Sequence, residues 1–189
     1  MNPPVRILSD LHLESEDFDP EPQAGAELLV LAGDIDSSCL GYERFAGWPV
    51  PVLAVAGNHE FDGHEINDAW PALRRHCARL GTTLLERDCL VLTSHSGARL
   101  RFVGTVRWSD FDVFGPSRQA SALRAGSYFQ RVMGATLGGA PFDAQAVRVH
   151  REEPGRGRRA AIGLASFAAR HPAEEERRRH LARRRRPDA

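Results

Sequence analysis

The chain has 189 residues, no formal net charge at pH 7, 42% hydrophobic and 26% charged residues. This composition suits one globular domain with a sizeable core. Its opening, MNPPVRILSD, lacks a basic flank before a long apolar run, and its longest apolar stretches, LLVLAG and VPVLAVAG, are too short to cross a bilayer. Neither a secretory signal nor a membrane span is expected, and a cytoplasmic setting is predicted.

Cys39, Cys77 and Cys89 are odd in number and lack C-x-x-C spacing. They are read as small apolar residues in a reducing compartment rather than as disulfides or zinc ligands.

The first predicted element is a short strand that ends in RILSDLHLE, residues 6–14. Asp10 and His12 stand two residues apart, and in extended backbone that spacing turns both side chains to one face. ELLVLAGD, Glu27 to Asp34, is a continuous apolar run closed by glycine, which predicts a strand buried on both faces. VPVLAVAGN, Val50 to Asn58, repeats that design, with Pro51 tolerable near the strand start.

A helix is predicted over NDAWPALRRHCARLG, with Asp68 as N-cap, Pro71 in the first turn and Gly81 at the C-terminus. Leu73, Cys77 and Leu80 form its apolar stripe. His76 falls on the surface of this helix, and His64 just before it. CLVLTSHSGARLRFVGTVRW has two strand-like runs around a turn at His95, Ser96 and Gly97, a hairpin signature. SALRAGSYFQRVM is predicted helical, and GATLGGAP is predicted to be a loop.

From Pro154 onward the texture changes. This stretch holds 11 arginines against four acids, a balance of +7, which leaves −7 for residues 1–153; the chain has no lysine. The division predicted is a folded domain over 1–153 and an Arg-rich tail over 154–189, disordered or partly helical through its i, i+4 Glu–Arg pairs.

Strands early, a helix between them and a later hairpin predict an α/β layered domain. In such sheets, functional groups collect beyond the carboxyl ends of the strands. Here each of the first three strands ends in a polar cluster: Asp10-Leu11-His12, Gly33-Asp34, and Gly57-Asn58-His59-Glu60. The spacing from Asp10 to Asp34 and from Asp34 to Asn58 is 24 residues each time. Parallel neighbouring strands would bring the three clusters to one sheet edge. Carboxylates, an amide oxygen and imidazoles are good ligands for divalent cations, and converging carboxylates without a cation would repel.

The motifs DLH, GDID and GNHE, in this order and spacing, resemble those of the calcineurin-like metallophosphoesterases, and RFVGTVRWSDFDVFG is similar to the cytoplasmic bacterial branch. The resemblance spans roughly the first 150 residues. It implies a layered α/β/β/α domain and a phosphoesterase of mono- or diesters that uses two divalent cations from among manganese, iron, zinc and nickel. It further implies that Asp10 and His12 hold the first metal, Asp34 bridges both, and the Asn58 oxygen holds the second. His59 then acts on the leaving group as a general acid or transition-state stabiliser. Such a bridge sets two cations about 3.5–4 Å apart and acidifies the water between them.

The family also has three later histidines, one ending a strand and two in Gly-His-x-His, and neither motif is found here. GHEI at Gly63 has Ile66 in place of the second histidine, and His150, His171 and His180 sit in unrelated contexts. This reading expects the family pattern to break off near residue 153 through truncation or a shifted reading frame. It also expects fewer than two bound metals and reduced or absent activity. The alternative is an inactive acidic domain whose Arg-rich tail binds nucleic acid or anionic surfaces.

Overall fold

The computed structural model describes residues 4–152. The Arg-rich tail, with His171 and His180, lies outside them. Strands β1 (Val5–Leu8), β2 (Leu28–Ala32), β3 (Val52–Val55) and β4 (Thr82–Leu84) form one parallel sheet in that spatial order. Residues are in register from Val5 opposite Leu28 and from Leu29 opposite Val52. β2 and β3 are apolar at every position because both of their faces are covered.

The two faces bury different sets. Leu29, Leu31, Ala54 and Ala56 pack with Tyr42, Phe45, Phe61, Leu73 and Cys77, so this face carries the helix α1 (Ile66–Arg79) and the turn at Leu40–Phe45. Leu28, Val30, Leu53 and Val55 pack against Leu85, Leu100 and Phe102, which brings in the antiparallel hairpin β5 (Asp88–Thr93) and β6 (Arg99–Gly104). β6 alternates exposed and buried, so Leu100 and Phe102 point inward while Arg99 and Arg101 face out. The α/β class and the hairpin predicted from the sequence are both present.

Several local expectations are corrected. α1 begins earlier than predicted, and its N-cap is Glu65, whose side chain accepts from the Asn67 amide; Asp68 lies in the first turn instead. Pro71 is inside the helix, past the turn where a missing N–H is harmless. The helix in the later segment, α2 (Pro116–Met133), starts five residues before Ser121, because Pro116 presets a helical φ at its first position. GATLGGAP is a small hairpin, β7 (Thr136–Leu137) and β8 (Ala140–Pro141), made possible by positive φ at Gly138 and Gly139. A last helix, α3 (Ala144–Glu152), packs on α2.

Cys39 and Cys77 pack with the core as expected, and burial pushes both thiols up to about 12. Cys89, by contrast, is exposed on β5. Among the described residues no helix is long and apolar enough to cross a membrane.

Candidate functional site

The parallel register carries on past the strand ends. The amide of Asp10 donates to the Gly33 carbonyl (3.0 Å), His12 to Asp34 (3.2 Å) and Leu13 to Ile35 (2.9 Å). The loops after β1 and β2 thus run side by side. Asp10 and His12 do not share a face of extended chain, however. β1 ends at Leu8, and φ is 52° at Asp10, 46° at His12 and 54° at Asp34. Three non-glycine residues in left-handed backbone at adjacent strand ends is strain of the kind that collects at functional sites. The loop is set by pairing to its neighbour, not by the strand's own alternation.

β3 delivers the third cluster. The Asp34 Oδ1 accepts from the His59 amide at 2.9 Å, which ties the second motif to the third. Gly57 is required there, because a Cβ would collide with the Asp34 carboxylate. Gly33, at φ +88°, has the Gly57 backbone against it, and a Cβ would meet that Cα at 2.9 Å. The side-chain Nδ2 of Asn58 donates weakly to the Met133 sulfur at 3.9 Å.

The rings of His12 and His59 meet edge to face with centroids 4.4 Å apart. Each has a carboxylate at Nδ1: Glu14 for His12 at 3.4 Å and Asp62 for His59 at 2.8 Å. Ligand atoms of His12, Glu14 and His59 all lie within 4.8 Å of one another, and this set could hold a metal ion. Of the residues expected from the sequence, the structure brings His12 and His59 together, with Asp34 and Asn58 beside His59. Asp10 is tied in through its backbone, its side chain exposed.

Glu14, Glu60 and Asp62 had no role in the sequence reading. Glu14 repeats the two-residue spacing of Asp10 and His12, and Glu60 completes GNHE; those were the available signals. Glu60 is 1% exposed, and its carboxylate accepts from the amides of Asp34 (3.2 Å), Ile35 (2.8 Å) and Gly57 (2.7 Å) and from the Tyr42 hydroxyl (3.0 Å). It bolts the turn after β2 to the turn after β3. Burial pushes the Glu60 carboxyl above its ordinary range, with the nearby Asp34 charge adding to that rise. Asp62 is also raised, chiefly by burial, and one of its oxygens is buried without a partner.

The other histidines stay apart. His64 is exposed before α1, His76 pairs with Arg79 on that helix, and His95 is exposed at the hairpin turn. His150 packs its ring against Phe142 and Trp108. Beside the cluster lies a cavity of about 470 Å³, with Asp34, Asn58 and His59 in one wall and Trp108, Phe111 and Phe129 in another.

No protein-family model matches this sequence, and no curated protein matches it. The solved phosphopantetheinyl hydrolase (PptH) from Mycobacterium tuberculosis is similar over part of the chain, at 20% identity and a TM-score of 0.38. The likeness covers 49% of this chain and 38% of that one, too slight for an argument about activity. The calcineurin-like resemblance therefore rests on the motifs.

Proposed function

We propose that this domain is a metal-dependent phosphoesterase of the calcineurin-like type, with its helix layer, parallel sheet and hairpin corresponding to three layers of the α/β/β/α arrangement. The observation that carries the proposal is the meeting of three separate motifs at one sheet edge, through the His12–His59 contact and the Asp34–His59 hydrogen bond. Oxygen and imidazole donors of this kind suit manganese, iron, zinc or nickel. Asp10 and His12 would hold one cation, Asp34 would bridge, and Asn58 would offer its oxygen to a second. Glu14, beside His12, would add a donor that the motif pattern does not include. A bound divalent cation supplies an acidified water and draws charge from the phosphoryl oxygens.

The protein's own groups do the rest. Asp62 at Nδ1 fixes the His59 ring, leaving Nε2 to pass a proton to the departing oxygen. Glu60 holds the amides of Asp34 and Gly57 so that the ligand-bearing turns keep their separation. With two ligand motifs of the family absent, turnover is expected to be low.

The test is hydrolysis of 4-nitrophenyl phosphate by the 189-residue chain with manganese, compared with Asp34→Asn. The expected outcome is a manganese-dependent rate that the variant loses together with manganese binding by calorimetry. Equal rates or equal manganese affinity in the two proteins would overturn the assignment of Asp34.

A further inference from the structure

The cavity beside the cluster is larger than a phosphate needs. Its volume is about 470 Å³, in the range of sites for small organic molecules. One wall is the candidate phosphoryl site itself, Asp34, Asn58 and His59. The rest is largely apolar: the rings of Trp108, Phe111 and Phe129 with Val106, Met133 and Val147, against which Ser109 and Gln130 add two polar groups. Arg107 belongs to the same lining.

Trp108 is held from behind by Phe61 at 5.6 Å and Phe142 at 5.0 Å between centroids, so its ring is fixed. The turn that presents it is fixed as well, by the Val106 amide donating to Glu86 at 2.8 Å. Phe129 stands at the rim, 63% exposed, where a ligand could cover it. Gly126 keeps α2 close, since a Cβ there would meet the Phe111 ring at 2.5 Å.

We infer that this cavity selects phosphoesters whose organic part carries a flat aromatic ring, the ring lying among Trp108, Phe111 and Phe129 while the phosphoryl group faces Asp34, Asn58 and His59. The inference rests on the phosphoesterase reading for the direction in which the ligand lies. A polyhydroxylated substrate would turn most of its hydroxyls toward apolar groups, at a cost that a flat apolar ring avoids. Ring stacking adds to the area buried. A ring bonded close to the phosphoryl group and a nucleotide base carried on its ribose share this chemistry.

Calorimetry on the full chain with manganese tests it through two pairs of slowly hydrolysed or non-hydrolysable probes. One pair is 1-naphthylphosphonate and methylphosphonate. The other is adenosine 5′-O-thiomonophosphate and ribose 5-O-thiophosphate. Burying one ring corresponds to a preference of about tenfold or more for the ring-bearing member. Phe129→Ala, at an exposed position where the fold should tolerate it, is expected to remove most of that preference. Hydrogen exchange should also slow along α2 when the ring-bearing probe binds. A preference in the first pair alone identifies a ring near the phosphoryl group, and one in the second pair alone identifies a nucleotide.

Equal affinities within both pairs, or a preference untouched in Phe129→Ala, would overturn the inference. Hydrolysis of 1-naphthyl phosphate is read separately. Ring preference without turnover keeps the pocket and removes the phosphoesterase reading, whereas turnover without ring preference does the reverse.

Discussion

Glu60 shows how much of this site depends on a residue that need not touch a substrate. Its buried carboxylate takes four hydrogen bonds from two different turns and from Tyr42. In Glu60→Gln an amide nitrogen must face N–H donors, and at least one donor is left buried and unpaired. The expected loss is about 2–4 kcal/mol in urea unfolding. An unchanged midpoint would show that the network is replaceable by water. His59 and Asp62 form the second residue-scale unit, joined at 2.8 Å. His59→Gln should slow substrates with poor leaving groups by about 100-fold or more while sparing nitrophenyl esters. Asp62→Asn should follow the same leaving-group pattern with a smaller loss, because it disturbs the ring's orientation and leaves the ring in place. A uniform loss across leaving groups in either variant would argue against proton donation.

The elements are unequally secured. α1 buries Ile66, Leu73 and Cys77, whereas the 18 residues of α2 include none that is fully buried. Amides of α2 are therefore expected to exchange with deuterium well before those of α1 in the free protein. Equal protection in the two helices would contradict this. The small hairpin β7–β8 depends on one side chain. Glu65 accepts from the amides of Gly138 (2.8 Å) and Gly139 (3.0 Å) and from Thr136 (3.0 Å), besides capping α1. These donors, the two glycine amides above all, pull its carboxyl from 4.5 down to about 2.

The sign follows from the depressed value. The folded state favours the charged form, so its contribution is full above about 4.5 and is lost as pH falls toward about 2. Wild type minus Glu65→Gln stability should shrink across that interval in urea titrations. A difference that stays flat with pH would mean that the carboxylate charge contributes nothing.

At the scale of the molecule, the described residues leave considerable apolar surface open. Val113, Phe114, Tyr128, Phe129 and Val132 are each more than half exposed, and Ile7 on the edge strand is 60% exposed. Such a surface predicts marginal stability and binding of a hydrophobic dye in the native state. The same chain should bind fewer than two manganese ions, because His150, the one late histidine among the described residues, is engaged with Phe142 and Trp108. Elemental analysis and melting with and without manganese measure both points. Two tightly held ions and a large metal-dependent rise in melting temperature would show that ligands outside residues 4–152 complete the site.

How far the sequence reached depended on the kind of signal. The buried strands were legible because a continuous apolar run closed by Gly33 or Gly57 has few other uses, and equal spacing of the polar clusters pointed to parallel neighbours. The hairpin around Gly97 was legible from alternation on both sides of a turn. The left-handed backbone at Asp10, His12 and Asp34 was not, since it comes from pairing between loops that are far apart in sequence. Nor did local pattern reveal the partners Glu14 and Asp62, the Glu60 bolt, or the hold of Glu65 on Gly138 and Gly139. Local order follows from near-neighbour propensity and burial pattern, which the sequence by itself determines. Which carboxylate faces which imidazole, and which rings line the cavity beside them, is decided only when distant segments are brought together and buried polar groups must find partners.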